Sequence, residues 1–330
     1  MGLFWIAGSG DIQKQQGTMR VGLVFDVGGR GDKSFNDSAY LGLMRAKKDF
    51  KVAVEYIEPG DGSDRESAIR ILASRGFDLI ISTGFIFTDD VTRVALEYPQ
   101  LKFVCVDYAL KTDKQGQIIP PPPNVAALKF REEEGSFVVG ALAGLVSKGR
   151  TLGFVGGMDI PLIRRFEAGY RQGIQHVCPS CRVLANYAGV TSHAFKDPSK
   201  GKELALSQYR NGADIIFHAS GSTGLGVFEA ARVAKRLAIG VDSDQFHEAP
   251  GFILTSMVKR VDNAIYHTIQ KMTQVNFVGG IHSFGLAEDG VGYVYDHNNR
   301  KLIPDAVYTR LEEIKQNIIS RKIRINIDGI

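Results

Sequence analysis

The stretch DVGGRGDKSFNDSAYLG, residues 26–42, combines a carboxylate, four glycines, charges of both signs and an aromatic beside an amide directly after a strongly apolar run. Asp26 can accept hydrogen bonds from hydroxyls, Asn36 can both donate to and accept from the edge of a heterocycle, and Phe35 offers a flat apolar face. The glycines permit close approach of backbone to a ligand. Two readings of Phe35-Asn36 stay open: ligand contacts, or a core anchor followed by a helix cap at Asn36 or Asp37. GGRGDKS is not a Walker A phosphate loop, because Asp32 precedes Lys33 where that motif needs GK[ST] after a four-residue spacer, and a carboxylate there opposes a phosphate.

Further along, HASGSTGLGVFEAARVAKR (218–236) places a Gly221-Ser222 turn before a helix whose first amides could meet a ligand oxygen. GGMDIPLIRRFEAGYRQG (156–173) carries Phe166 and Tyr170 one turn apart, a spacing that suits a core face as well as a ligand face. Lys259 follows the apolar ILTSMV and reads either as a residue at an interlobe crossing or as a solvated lysine. GDGSDRESAIRILASRG (60–76) is a structural amphipathic helix, with Ser63 or Asp64 before it and Ile69, Leu72 and Ala73 on one face. The chain contains no GxSxG, HExxH or DxDxDG, and its seven histidines show no ligand spacing, so no cofactor, metal or catalytic constellation is expected and binding without chemistry is favoured.

Bulk properties narrow the class. At 330 residues, 44% apolar and 23% charged, the chain matches a folded globular protein large enough to split into two lobes. The formal charge is +4, but the basic residues are scattered among acidic neighbours, which argues against a nucleic-acid surface. The longest apolar run, 137–146, is far shorter than the ~20 residues a bilayer span requires. Residues 1–18 lack a basic n-region and a full h-region and read as a remnant or tag-like segment. Cys178 and Cys181 form one CPSC, open between a local disulfide and two thiols, while Cys105 lies in a predicted buried strand.

The elements that must position these residues are short β-branched runs separated by helical stretches, the pattern of a parallel sheet with crossover helices. Three local strings recur. MRVGLVFDVGG (19–29) is echoed by RTLGFVGGMD (150–159), GFDLIISTG (76–84) by GADIIFHASG (212–221), and LKFVCVDY (101–108) by RLAIGVDS (236–243), so that Asp107 corresponds to Asp242. Two similar α/β lobes follow, with ligands expected beyond the carboxyl ends of the strands, in a cleft between the lobes. The predicted division is 19–128 plus about 258–281 for lobe 1 and 129–257 plus about 282–330 for lobe 2, with the stiff IIPPPPN (118–124) close to the boundary. Several crossover strands then make a hinge.

Taken together, VFDVGGRGDKSFNDSAYLG, KFVCVDY, EEEGSFVVGALAG, GFVGGMDIPLIRRFEAGYRQG, IGVDSDQ and LTSMVKRVDNA resemble the basic membrane protein family of substrate-binding proteins over about residues 20–325. The likeness is to purine nucleoside receptor lipoproteins of ABC importers. It implies a type I periplasmic-binding-protein-like fold of two Rossmann-like lobes and a monomeric, non-enzymatic protein at the extracytoplasmic face. It also implies a nucleoside ligand, purine first, and an ABC importer permease as partners. By the same resemblance a base is held between Phe35 and Phe166, with Phe217 a weaker candidate that its strand could turn into the core. Asn36 and Asp107 read the base edge, Asp242 and Lys259 hold ribose hydroxyls, and Asp26 with the Gly221-Ser222 turn completes the lining. The lipid-modified cysteine of the family's lipoproteins has no counterpart near this N-terminus. The competing classes are a nucleoside hydrolase and a cytoplasmic ligand-sensing module.

Overall fold

Valine, isoleucine and leucine runs become parallel strands here because helices cover both faces of each sheet, which removes any need for polar alternation. A computed structural model describes residues 17–60, 64–274 and 276–330. The N-terminal segment 1–18 therefore lies outside the described residues except for its last two positions, as does Ser63.

In chain order the elements begin with β1 (Arg20–Val24), α1 (Phe35–Phe50), β2 (Ala53–Ile57), α2 (Arg65–Ser74), β3 (Leu79–Thr83), α3 (Thr88–Glu97) and β4 (Lys102–Val106). A small hairpin of β5 (Lys111–Thr112) and β6 (Ile118–Ile119) precedes β7 (Val125–Phe130). Then come α4 (Glu132–Val146), β8 (Thr151–Met158), α5 (Pro161–Val177), β9 (Arg182–Gly189), α6 (Pro198–Arg210), β10 (Ile215–Ala219), α7 (Gly224–Ala234) and β11 (Leu237–Asp242). The chain closes with β12 (Ile253–Lys259), α8 (Val261–Thr273), β13 (Gly280–Phe284), β14 (Val291–Tyr293) and α9 (Asp305–Ile319).

These elements form two compact units. Unit 1 comprises residues up to Gly31, Asn36–Lys129 and Val261–Ser283; unit 2 comprises Asp32–Phe35, Phe130–Arg260 and Phe284–Ile330. The first sheet runs β13-β7-β4-β3-β1-β2 and the second β14-β12-β11-β10-β8-β9. Position for position, β8, β9, β10, β11 and β12 repeat β1, β2, β3, β4 and β7, so the recurring strings mark a repeated topology. The pairs β1–β2, β1–β3, β3–β4 and β4–β7 are parallel, as are β8–β9, β8–β10, β10–β11 and β11–β12; β14 joins β12 antiparallel.

Each unit has its own core. In unit 1, Ile69, Leu72 and Ala73 of α2 pack with Phe77, Ile80, Val91 and Phe103, as the amphipathic pattern of that segment predicts. In unit 2, Val155, Ile216, Val227 and Phe228 form the equivalent cluster with Ala205 and Ala231. A fully buried Val, Leu, Ile or Phe stabilises by roughly 1.5–3 kcal/mol. The long apolar run falls in α4, which is packed tightly on α5. A Cβ on Gly140 would lie 2.2 Å from Tyr170 O, and one on Gly169 would lie 2.3 Å from Glu133 O. Its apolarity thus serves a close helix pair, and no described helix is long and apolar enough to cross a membrane. Between α5 and β9, Cys178 and Cys181 are joined in a disulfide with Cα atoms 5.4 Å apart, which resolves the two readings of CPSC. Cys105 is a buried free thiol in β4.

Candidate functional site

In unit 1 the polar groups gather at the carboxyl ends of β1, β3 and β4. Asp26 follows β1, and its N–H donates to Asn36 Oδ1 at 3.0 Å and to Thr83 Oγ1 at 3.1 Å. Asn36 is buried in the first turn of α1, so its carbonyl oxygen is committed to the strand end and its amide orientation is fixed. Through Oδ1 the residue braces the loop that carries Asp26. Gly84, at φ +108°, leaves room for the same carboxylate, because a Cβ there would lie 2.2 Å from Asp26 Oδ2.

Asp107 stands just past β4, buried, with its N–H donating to Leu128 O at 2.8 Å. Its φ is +61°, and that of Asp242, the last residue of β11 in unit 2, is +65°. Left-handed backbone is unfavourable for L-residues, with Asp and Asn among the few that visit it, and such strain clusters at functional sites. The same residue type in the same strained conformation at the end of the equivalent strand marks both carboxylates as candidates. Asp242 is also buried, and its Oδ2 accepts a hydrogen bond from Ser34 Oγ.

The glycine-rich loop answers its own amides. Gly31 N donates to Asp37 Oδ1 at 2.9 Å, Arg30 N to Glu58 Oε2 at 3.1 Å and Ser34 N to Asp32 Oδ1 at 2.9 Å. Carboxylates occupy the places that phosphate oxygens take in a P-loop, which agrees with setting that motif aside. The Arg30 guanidinium lies 3.9 Å from the centre of the Tyr40 ring and pins the loop tip onto α1.

Unit 2 holds a buried cation. Lys259, at the end of β12, is only 2% exposed, so the solvated-lysine reading does not apply. Its Nζ lies 3.1 Å from Glu132 Oε1 and 5.0, 5.2 and 5.7 Å from the ring centres of Phe130, Phe35 and Phe166. An ammonium that loses water is held by a carboxylate and by aromatic quadrupoles, both of which are strengthened by low dielectric. Arg165 pairs with Glu133 at 2.9 Å and lies 3.6 Å from Glu132, so two cations face two carboxylates. Phe35 and Phe166, both named as base faces on the resemblance, border one ammonium; Phe35 is half-buried and Phe166 nearly fully buried.

Phe217 requires a correction. It lies in the middle of β10 with no exposed surface, its ring 5.2 Å from Tyr170, 5.8 Å from Phe154 and 6.4 Å from Phe166. Both faces of this strand are covered, and Phe217 is a core residue, not a ligand face.

Phe195 is the aromatic that sequence reasoning missed. It is half-buried in a short turn (Ser192–Phe195), and a Cβ on Gly157 would meet its ring at 2.2 Å, so the ring lies against bare backbone at the end of β8. Ser222 Oγ donates to Phe195 O at 3.0 Å, which ties the Gly221-Ser222 turn to this ring; Gly221 there has φ +56°. Gly157 of GGMD is the one sequence signal that a flat group covers that strand end.

Near this turn, burial pulls His218 down to about 4, so it is neutral at physiological pH. Burial, with the charge of Asp107 adding to it, pushes the Cys105 thiol far above its ordinary range and leaves it inert. Among the described residues, no group of three or more His, Cys, Asp or Glu side chains could hold a metal ion.

The chain is similar to known proteins over nearly its whole described length. The family model Bmp, described as ABC transporter substrate-binding protein PnrA-like, matches residues 19–328. Basic membrane protein A of Borreliella afzelii is 31% identical over 319 residues, 96% of this chain and 94% of the relative. An uncharacterized lipoprotein of Pyrococcus furiosus is 36% identical over 298 residues, 86% of this chain and 72% of the relative. Among solved structures, an ABC transporter solute-binding protein from Aeropyrum pernix superposes with a TM-score of 0.85 at 30% identity, covering 94% of each chain.

Proposed function

Because the chain belongs to the PnrA-like family of ABC transporter substrate-binding proteins, we propose that it captures a nucleoside, a purine before a pyrimidine, outside the cytoplasm and hands it to an ABC importer permease. The observation that carries this reading is the pair of strand-end aspartates, Asp107 and Asp242, each in left-handed backbone. Buried carboxylates accept hydrogen bonds from ligand N–H and O–H groups. In this reading Asp107 meets the base edge, assisted by the loop that Asn36 braces and by Asp26. Asp242 and Lys259 meet ribose hydroxyls.

Phe35 supplies one stacking face and Phe166 a second. Phe195 takes the place of Phe217 as a further candidate, because its ring is half-buried beside the Gly221-Ser222 turn. Stacking on an aromatic contributes roughly 1–3 kcal/mol per base. Two faces and a few charge-assisted hydrogen bonds suffice for a Kd of about 1 μM, or ~8 kcal/mol. The self-satisfied glycine loop favours a neutral nucleoside over a nucleotide. Several relatives are named lipoproteins, and the Cys178–Cys181 disulfide suits an oxidising compartment; both support an extracytoplasmic site of action.

Capture without chemistry is the expected behaviour of a monomeric receptor. Inosine incubated with the protein and followed by chromatography should be recovered intact; steady release of hypoxanthine would move the protein to the hydrolase class.

A further inference from the structure

The amide of Gln245 ties together three parts of unit 2. Its Oε1 accepts from Val241 N at 2.7 Å and lies 3.1 Å from His218 Nε2, and its Nε2 donates to Lys33 O at 3.0 Å. Its own N–H donates to Ser256 Oγ at 3.0 Å. An N–H at one end and a carbonyl at the other leave a single orientation for the amide. His218 must then carry its proton on Nε2, which makes Nδ1 an acceptor for Ser220 Oγ, 3.3 Å away and directly before the Gly221-Ser222 turn. Gln245 is 2% exposed, and Gly240 keeps space for it, since a Cβ there would lie 2.7 Å from Oε1.

Lys33 belongs to Asp32–Phe35, the short segment of the first loop that groups with unit 2. The segment brings Ser34 Oγ to Asp242 and the ring of Phe35 to within 5.2 Å of the Lys259 ammonium. A second tie runs from Ser243 Oγ to Ser34 O at 3.3 Å. We propose that Gln245 is a positioning residue for ligand capture: it holds Asp32–Phe35 in place by its bond to Lys33 O, without touching the ligand itself. The consequence for affinity rests on the nucleoside reading above, whereas the hold on the segment does not.

The test uses Gln245→Glu, which keeps acceptors for Val241 and His218 but loses the donor to Lys33 O, and Gln245→Met, which loses all three bonds at similar volume. Hydrogen exchange of the ligand-free protein should show residues 32–35 exchanging roughly 3- to 10-fold faster in both variants, the equivalent of one lost hydrogen bond, with the strands of unit 2 unchanged. The inosine Kd should rise by a similar factor, and that rise should vanish in a Ser34→Ala, Phe35→Ala background, because a positioning residue has nothing left to position. Unchanged exchange at 32–35 overturns the proposal, as does a loss of affinity that simply adds to that of the background. Loss of protection throughout the sheet in both variants also overturns it, by making Gln245 a folding residue. If the wild type binds no nucleoside, the nucleoside reading fails and the exchange result alone decides the role of Gln245.

Discussion

Asp242→Asn should weaken inosine binding by at least tenfold while leaving hypoxanthine binding within about twofold. Asparagine is nearly isosteric and, like aspartate, tolerates left-handed backbone, so the φ of +65° at this position is retained. Alanine is a poorer probe, because it adds a backbone penalty to the loss of the side chain. What the substitution changes is the acceptor set. A carboxylate can accept from two ribose hydroxyls at once, whereas the amide turns a donor toward one of them. Hydrogen bonds to a charged partner contribute about 1.5–3 kcal/mol, and 1.4 kcal/mol is a factor of ten. Ser34 Oγ, which donates to Asp242, can still donate to the amide oxygen, so the segment around it stays in place. Calorimetric titration with nucleoside and free base in parallel reads the difference directly, and equal losses for both would remove Asp242 from the ribose role.

The second large effect concerns stability. Lys259→Met should destabilise unit 2 by about 3–5 kcal/mol, because it takes away the ammonium 3.1 Å from Glu132, a carboxylate only 1% exposed. Methionine fills a similar volume among the rings of Phe35, Phe130 and Phe166, so lost packing is a small part of the change. The charge left behind accounts for most of it. Adding Glu132→Gln should therefore restore most of the lost stability, although ligand affinity stays low if Lys259 holds a hydroxyl. Urea unfolding of the single and double variants checks this. A single-variant loss below about 1 kcal/mol, or no recovery in the double variant, would show that Arg165, 3.6 Å from Glu132, compensates the charge left behind.

Much of the architecture is legible in the order of residues. The recurring strand strings anticipate two sheets with the same strand order, because a parallel strand buried on both faces is written in apolar residues and its polar residues fall at the ends. Asp107 and Asp242 stand out for that reason, as the polar ends of matching strings. The finer placement is not legible in this way. Phe217 is named as a face by the resemblance alone, and the strand pattern leaves open what covers its side; α5 supplies Tyr170 there. The one sign of Phe195 is Gly157, far from it in sequence, because the two meet only through tertiary packing. Asn36 was legible as an amide beside an aromatic, but its bond to Asp26 N depends on how α1 returns to the end of β1. Lys259 could be read two ways because its carboxylate partner, Glu132, lies far away in the chain. CPSC is ambiguous on spacing alone, and only the turn between α5 and β9 brings the two sulfurs together.

Calorimetric titration of protein stripped of bound ligand by unfolding and refolding, with inosine, guanosine, adenosine, cytidine, uridine, adenine and ribose, tests the central claim most directly. The account predicts a Kd near or below the micromolar range for at least one purine nucleoside, weaker binding of pyrimidine nucleosides, and much weaker binding of adenine and ribose alone, since neither engages both the aromatic faces and the carboxylates. Absence of binding across the panel, or ribose binding as tightly as any nucleoside, would contradict it.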